Sequence, residues 1–471
     1  MKKVKLFILM FVTGIFVTTS CKFGDINVDP NAIASAQLKD QLPLVIGQTV
    51  FNSGASNARA SGLIMQHYLG LEAQQQEMGN YVFSSNTFNN LWSFGLYGAG
   101  AMTAADVLIK QAVEEEQPYY IGIGKILMAV NLATATQSWG DVPYSQAFLA
   151  TEGEEFFQPE FDTQENLYNA VQQLLDDAIT ELNKPAIAGG PGNDDLMYDG
   201  DASSWIMTAN ALKARYYMHL VKRDGSAHTK ALGVLGSAYS SNAEESMFTS
   251  FGSQGANDAN PYGQFGAQRP NTLVIFPGFS ERMEGDPRKS LYMASDGTND
   301  IYYTGPDGLF WSSYTSPLPL ISYTEQLFLE AEAQLRNGDA GSAETTLADA
   351  VVANMEQLGI AEADYAAYVA DRGSFGGLLS PEEQLERIME EKYVALYAQG
   401  MVEIWTDYRR TGYPALTPNP NGVNGVNPSG VIPRRWIYPN DEKFSNTENV
   451  DAAIARQGGE LLDDDMWAFA D

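Results

Sequence analysis

The chain has 471 residues, with 59 acidic and 28 basic side chains and a formal net charge of −31. Phosphate backbones repel a body this acidic, so the composition excludes nucleic acid as an expected partner. The single cysteine excludes an intramolecular disulfide framework. The fold must therefore depend on its apolar core, for which a chain of this length is sufficient.

The N-terminal segment is basic, then apolar, then small. Three lysines precede an apolar run from Leu6 to Val17, which is too short to span a bilayer as a helix of about 20 residues. Small residues at 18–20 lead to Cys21, the only cysteine of the chain. The pattern predicts a lipoprotein signal peptide at 1–20 and a lipidated Cys21 that tethers the mature chain to a membrane. An ordinary secretory signal remains the alternative.

Apolar residues at helical spacing dominate most of the mature chain, which predicts an all-α fold. The mature chain, 21–471, is expected to form one domain. Helix starts are expected at Asn89 or Asn90, at Ser203 or Ser204, and at Ser380, where Pro and two acidic residues follow. Helices are predicted at about 37–60, 61–71, 91–116, 119–138, 163–183, 203–223, 229–239, 323–358 (two helices), 381–398 and 402–410.

Many of these helices form consecutive pairs. Ala331, Ala343 and Ala350 are spaced 12 and 7 residues apart, as are the small residues of a tetratricopeptide repeat, where two helices approach closely. We expect the pairs to stack as a right-handed superhelix of about four such units. The pairs are predicted at about 119–183, 203–239, 323–358 and 381–410.

Two segments depart from the helical pattern. Residues 241–318 lose apolar periodicity and are rich in Gly, Asn, Pro, Asp and Tyr, which predicts a long irregular insertion with only short β-like runs such as TLVIF and DIYYTG. Because its aromatic content argues against disorder, we expect this insertion to form the ligand face. The tail from Gly412 onward is predicted to lie extended over the body.

The sequence offers no catalytic motif. It contains no G-x-S-x-G, P-loop or H-E-x-x-H pattern, and His67, His219 and His228 are not spaced as a metal pair. No enzymatic activity, cofactor or metal is therefore expected. Two alternatives stay open: a glycosidase-like carboxylate pair, and calcium at the acidic loop with Asp194, Asp195, Asp199 and Asp201.

Aromatic residues are concentrated in two predicted loop regions. One contains Tyr81, Phe83, Phe88 and Trp92, and the other contains Tyr302, Tyr303, Phe310, Trp311 and Tyr314. Aromatic faces stack on the apolar faces of sugars, although such rings can instead pin long loops to the body. The residues predicted to bind ligand are Tyr81, Trp92, Tyr302, Tyr303, Trp311 and Tyr314.

Several blocks in order resemble the SusD/RagB family of Bacteroidetes outer-membrane lipoproteins. They begin with Cys21 and the DINVDPN that follows shortly after it, and continue along nearly the whole mature chain. The further blocks are WGDVPYSQAF (139–148), DLMYDGDASSWIMTANALKARYY (195–217), YTEQLFLEAEA (323–333), EEKYVALYAQGMVEIWTDYRRTGYP (390–414) and IPRRWIYPNDEKFSNTEN (432–449).

The resemblance implies a helical nutrient-binding lipoprotein that sits on a TonB-dependent transporter of the SusC/RagA type. It also implies a lipid-anchored, surface-exposed location at the outer membrane. Among the expected site residues only Trp92, in LWSFGLY, lies in a recognisable block; Trp405, Asp407, Arg409 and Arg410 are expected to be structural or to face the transporter. Lys-Phe-Gly-Asp after Cys21 is a sparse form of the acidic stretch linked to surface export, which weakens that expectation.

The leading hypothesis is non-catalytic binding of an oligosaccharide and its delivery to the transporter. A protein of the same build that binds a peptide or another non-sugar nutrient is the second hypothesis, and the acidic body would then favour cationic ligands. An exported hydrolase and a scaffold that only stabilises the transporter are the remaining hypotheses.

Overall fold

The protein was analysed as a computed structural model that describes residues 36–255, 257–378 and 380–471. The predicted signal peptide and Cys21 lie outside these residues. Within them, none of the helices combines the length and the apolar character needed to cross a bilayer.

The described chain is mostly helical, so the all-α prediction is confirmed. Its strands form four two-stranded antiparallel sheets: β1 with β5, β2 with β3, β4 with β8, and β6 with β7. In chain order the elements are α1 (Leu38–Gly54), α2 (Ser56–Ile64), β1 (Tyr68–Gly70), α3 (Ala73–Gly79), a π-helix (Leu91–Leu96), α4 (Ala101–Glu114), α5 (Pro118–Trp139), β2 (Val142–Pro143), a 3₁₀ turn (Glu154–Phe156), β3 (Phe161–Asp162), α6 (Gln164–Leu182), α7 (Ala202–Met218), α8 (Ala227–Leu235), a 3₁₀ turn (Asn242–Glu244), β4 (Met247–Phe248), α9 (Pro261–Gln268), β5 (Leu273–Ile275), α10 (Pro277–Arg282), α11 (Lys289–Tyr292), β6 (Ala294–Ser295), β7 (Asp300–Ile301), β8 (Leu318–Pro319), α12 (Tyr323–Arg336), α13 (Ala340–Gln357), α14 (Glu362–Arg372), α15 (Pro381–Ala395), α16 (Met401–Thr411), α17 (Asn440–Ser445) and α18 (Thr447–Gln457).

Helix α5 lies at the centre of the first helical layers and is buried along almost its whole length. It packs against α4 on one side and α6 on the other. The close approach to α6 depends on Gly122, because a Cβ there would lie 2.5 Å from Leu182 Cγ. The helix predicted at 119–138 therefore corresponds to α5, which packs closely on α6 as the first helix pair.

Three of the four predicted helix pairs are confirmed: α5 with α6, α7 with α8, and α12 with α13 pack along their lengths. The predicted small-residue contacts are also confirmed, since Ala331, Ala343 and Ala350 are buried in the core between α12 and α13. The fourth predicted pair, 381–410, is wrong as a hairpin. Helix α15 packs mainly on α12, while α16 packs on α2.

The capping predictions have mixed outcomes. Ser380 begins α15 with the full capping box: its Oγ accepts from the Glu383 N–H at 3.2 Å and its own N–H donates to Glu383 Oε2 at 2.9 Å. Helix α7 is capped by Asp201 and not by Ser203 or Ser204, because Asp201 Oδ2 accepts from the Ser204 N–H at 2.9 Å. No side chain caps the π-helix that replaces the predicted start at Asn89 or Asn90.

Two segments predicted to lack regular structure contain short helices. The insertion 241–318 includes α9, α10, α11 and several two- or three-residue strands, and the tail includes α17 and α18. All of these helices except α18, which has 11 residues, have four to eight residues. Helices that short complete at most about two turns, so they leave no apolar periodicity that a sequence window can detect. The prediction of an extended tail was therefore wrong. The insertion is long and largely irregular, as predicted, but it also contains the three short helices.

Two of the three histidines are buried in the core. His219 Nε2 lies 2.7 Å from Glu403 Oε2 and its Nδ1 lies 3.1 Å from the Tyr168 hydroxyl, which agrees with the predicted packing role. His67 stacks on Tyr393 with ring centroids 4.0 Å apart. Burial lowers the pKa of His67 from 6.5 to about 3.

The buried His67 predicts acid sensitivity. Below pH 6.5 the His67 imidazole binds a proton in the unfolded chain, whereas in the folded chain it stays neutral until about pH 3. The free energy of unfolding should therefore fall as the pH drops through this window, by up to about 1.4 kcal/mol per pH unit. Urea unfolding across pH 4–8 would measure this slope in wild type and in His67→Gln. The variant should have a shallower slope than wild type below pH 6.5 and match it above pH 7; equal slopes of the two proteins below pH 6.5 would contradict the assignment.

Candidate functional site

The structure places the six predicted ligand-binding residues at different depths. The sequence predicted rings in loops, but Tyr81, Tyr302, Trp92 (3% exposed) and Trp311 (1% exposed) are buried in the core. Only Tyr303 and Tyr314 are half-buried. The loops that carry the buried rings fold back onto the helices, so the loop aromatics pin the chain more than they face solvent.

The six residues do not share a pocket. Tyr81 lines a cavity of about 490 Å³ with Arg282 and the tail segment 415–420. Trp92 lines a second cavity, and Tyr302 and Tyr303 line a third. Trp311 and Tyr314 line none of these three cavities.

The most unusual backbone element near a predicted residue is the π-helix Leu91–Leu96, which contains Trp92. Its wider turn is shown by the Tyr97 N–H, which donates to the Trp92 carbonyl five residues earlier at 2.8 Å. Gly100 then allows the chain to fold tightly back, since a Cβ there would lie 2.4 Å from Leu96 N. Because π-helices are rare and often occur at functional sites, this element marks a candidate site.

Exposed apolar side chains gather on both sides of the π-helix. Phe94 is 67% exposed and, with exposed Leu44 and Phe51, lines one cavity. Phe157 is 64% exposed and, with exposed Val107, lines another. Contiguous exposed apolar surface is costly for a folded protein and marks a place where something binds.

The cavity on the Trp92 side, here called the π-helix cavity, combines rings with polar groups in a volume of about 490 Å³. The rings of Tyr97 and Phe148 lie nearly parallel with centroids 6.4 Å apart. The Trp92 ring packs against Tyr97 with centroids 4.6 Å apart. Both Tyr97 and Phe148 are half-buried, while Phe157 is exposed. The cavity therefore offers flat apolar surfaces that solvent can reach.

Charged and amide groups lie between these rings. Lys110 pairs with Asp106 at 2.9 Å and donates to the Phe148 carbonyl at 3.0 Å. Glu442 accepts from Trp92 Nε1 at 3.2 Å and from Asn446 Nδ2 at 2.9 Å. Burial raises the pKa of both Asp106 and Glu442, although these donors offset part of the shift. These groups can accept and donate hydrogen bonds to a hydroxyl-rich ligand.

The cavity on the opposite side of the π-helix, here called the apolar cavity, measures about 500 Å³. It lies between α1 and the π-helix and is lined by Leu44, Phe51 and Phe94 together with small and amide residues. Asn52 fixes the two walls to each other, since its Nδ2 donates to the Gly95 carbonyl at 2.7 Å. The lining contains no charged side chain, which distinguishes this cavity from the π-helix cavity.

Three of the four acidic residues predicted for a calcium loop before α7 have structural roles. Asp195 accepts from the Met197 and Gly200 N–H groups at 3.0 Å each and from Trp205 Nε1 at 2.7 Å. Asp194 accepts from the Tyr120 hydroxyl at 2.7 Å, and Asp201 caps α7. In the part of the chain that the structure describes, no group of three His, Cys, Asp or Glu side chains is placed to hold a metal.

The sequence did not indicate Phe94, Phe148 or Phe157 as site residues. Phe94 lies inside a predicted helix, where an apolar residue is expected to be buried in the core. Phe157 stands in a Glu-rich loop, where it resembles any single exposed ring. The fold places Phe94 in one cavity and Phe148 and Phe157 in another, on opposite sides of the π-helix. Neither the π-helix nor the packing of the 440–446 segment that forms this arrangement has a sequence pattern.

Comparison with known proteins agrees with this architecture. A crystal structure of a SusD/RagB family protein from Bacteroides thetaiotaomicron is similar at a TM-score of 0.76 and 25% identity, covering 93% of this chain and 99% of that one. A chitin-binding protein matches at 0.75 and 24%, covering 92% and 100%. A SusD homologue from Bacteroides uniformis matches at 0.75 and 23%, covering 93% and 100%.

None of the curated proteins matches the chain. Its sequence matches the SusD-like family, described as starch-binding and associating with the outer membrane, over residues 30–439. This range covers most of the chain and all three confirmed helix pairs. The chain therefore belongs to the SusD-like family.

Proposed function

We propose that the protein binds an oligosaccharide in the π-helix cavity and delivers it to a SusC/RagA-like TonB-dependent transporter. In this proposal the chain is a non-catalytic lipoprotein, anchored through Cys21 and exposed at the cell surface. The observation that carries the proposal is the pairing of reachable rings with hydrogen-bonding groups in one cavity, within a family described as starch-binding.

The cavity suits a sugar for two physical reasons. The apolar faces of a pyranose can stack on Phe157 and on the Tyr97–Phe148 pair, and equatorial hydroxyls can then reach Asp106, Lys110 or Asn446. The other predicted rings remain possible contacts only where they line a cavity, as Tyr81, Tyr302 and Tyr303 do. Trp92 acts in this proposal as the support beneath Tyr97.

The apolar cavity supports the transporter part of the proposal. Exposed Leu44, Phe51 and Phe94 form a surface without charges on the other side of the π-helix from the π-helix cavity. An apolar surface of this kind is more suited to a protein partner than to a free sugar. Co-purification of the transporter with the tagged full-length chain from outer membranes would test this part, and its failure would leave the glycan part standing.

Replacing Phe157 with alanine is expected to weaken oligosaccharide binding about threefold to tenfold, because one stacked ring contributes about 0.5–1.5 kcal/mol. A glycan array probed with residues 22–471 would identify the ligand, and isothermal titration would give the two affinities. Ile187→Ala is a matched control, since Ile187 is also an exposed apolar side chain but lines none of the cavities described here.

Three outcomes separate the hypotheses. A glycan bound equally by wild type and Phe157→Ala would place its site outside the π-helix cavity. Binding of a cationic peptide, with a blank glycan array, would favour the non-sugar nutrient, because Asp106 and Glu442 would then attract the ligand. A blank result for every free ligand, with the transporter still co-purified, would favour the scaffold.

A further inference from the structure

Arg59, in α2, has no hydrogen-bond acceptor for its guanidinium among the residues that the structure describes. Its side chain is half-buried, its Nε is buried without a hydrogen-bond partner, and its guanidinium carbon lies 4.2 Å from the Phe265 ring centroid. Every other arginine in residues 36–255, 257–378 and 380–471 donates to a carboxylate or to a backbone carbonyl. An unpaired arginine is unexpected in a chain with 59 acidic side chains.

Three tyrosines surround this cation. Tyr68, Tyr262 and Tyr302 lie close enough to Arg59 to affect its pKa, and the Tyr68 ring lies 5.4 Å from Tyr302 and 6.2 Å from Tyr262. The hydroxyls of Tyr262 and Tyr302 are buried without a hydrogen-bond partner. Burial raises the pKa of both tyrosines above its ordinary value, so both hydroxyls remain protonated and can donate at neutral pH.

Tyr302, unlike Arg59 and Tyr262, also lines a cavity. It lines a space of about 290 Å³, here called the tyrosine cavity, together with Tyr303, Arg269 and Asn271. None of the residues that line the cavity is acidic. Arg269 is exposed, and within the described residues its guanidinium donates only to the neighbouring Gln268 carbonyl, so it adds a positive charge to this region of an acidic protein.

We propose that Arg59, Tyr262 and Tyr302 bind the carboxylate of an acidic ligand that enters through the tyrosine cavity. The free groups are an arginine and two phenols with no acceptor beside them, so they suit a group that only accepts hydrogen bonds. The planar guanidinium matches a carboxylate in a two-point contact. An unpaired buried donor is costly, and the carboxylate would satisfy it.

The site shares no residue with the π-helix cavity. It therefore stands whether or not that cavity binds an oligosaccharide. The surrounding −31 body repels acidic ligands at long range, so recognition must come from the cluster itself. For this reason, moderate salt should strengthen binding by screening that repulsion, provided the salt anion does not compete.

The test uses residues 22–471 and three probes: glucuronate, glucose and glucose 6-sulfate. Titration calorimetry should detect glucuronate bound more tightly than glucose. Arg59→Met should weaken the binding of glucuronate at least about tenfold. Arg434→Met is the matched control, since it removes the same charge from an exposed ion pair and should leave the binding of glucuronate unchanged.

Tyr262→Phe/Tyr302→Phe keeps both rings and should weaken the binding of glucuronate less than Arg59→Met does. Its thermal unfolding should stay near wild type, so this variant decides the question if Arg59→Met does not fold. Equal binding of glucose and glucuronate would overturn the proposal, as would unchanged affinity in the tyrosine double variant. Binding of glucose 6-sulfate without binding of glucuronate would overturn the assignment to a carboxylate.

Discussion

Replacing Arg410 with methionine is expected to lower the free energy of unfolding by about 3–5 kcal/mol. Arg410 and Glu332 are fully buried, and two guanidinium nitrogens donate to the two carboxylate oxygens, one of them at 2.5 Å. Arg410 Nε also donates to Asp407 at 2.9 Å, and Lys392 holds the other Asp407 oxygen at 2.8 Å. Removing the arginine leaves the negative charges of Glu332 and Asp407 buried and only partly compensated. Uncompensated buried charge lowers the free energy of unfolding strongly.

Urea unfolding of residues 22–471 would measure the loss. Arg434→Met serves as the control, because its partner Asp465 is about as exposed as Arg434 itself and a surface pair contributes about 0–1 kcal/mol. Equal effects of the two substitutions would contradict the assigned role of Arg410. Stability that survives Arg410→Met would also mean that Arg336, 2.7 Å from Glu332, is sufficient to hold that carboxylate.

The same network predicts a low-pH signature. Burial alone would raise the pKa of Glu332, but Arg410 and Arg336 beside it hold that pKa at about 2. A carboxylate with a lowered pKa stabilises the fold above its unfolded value of 4.5 and loses that contribution as the pH falls toward 2. Arg410→Met should therefore show a smaller change in unfolding free energy between pH 4.5 and pH 2 than wild type does.

The long elements of this fold were predictable because their physics is local. An apolar stripe such as that of α6 identifies a helix, and Ser380-Pro381-Glu382-Glu383 begins α15 as the capping pattern predicts. The resemblance added the interpretation of the WTDYRR block as structural or transporter-facing, and the burial of Asp407, Arg409 and Arg410 agrees with the structural alternative. The division of α15 from α16 was not predictable, because it depends on which distant helix each one covers.

The candidate site was much less predictable. A ring in a polar loop has the same sequence appearance whether it faces solvent, as Phe157 does, or fills the core, as Trp311 does. The sequence did not indicate Arg59 as a site residue. Whether an arginine has a hydrogen-bond acceptor depends on the side chains that the fold places around it. Sites of this kind depend on contacts between segments far apart in sequence, such as Trp92 with Glu442.

Replacing Trp436 with alanine is expected to lower the free energy of unfolding by about 3–5 kcal/mol, as other large buried aromatics do. Trp436 is fully buried, stacks on Trp405 at 4.2 Å, and lies 4.9 Å from both Phe83 and Phe88. Its Nε1 donates to Asn57 Oδ1 at 2.8 Å, so alanine would also leave that buried amide without its donor.

This tryptophan joins three distant parts of the chain: α2, the aromatic loop before the π-helix, and the tail. Trp467→Ala is the control, because Trp467 also belongs to the tail but is 36% exposed, and its loss should cost less than half as much. Unfolding followed by circular dichroism would compare the two. Equal losses would mean that the tail is held by its C-terminal end. A larger loss at Trp436 would mean that this ring holds the tail and the aromatic loop together, and with them the wall of the π-helix cavity formed by Glu442 and Asn446.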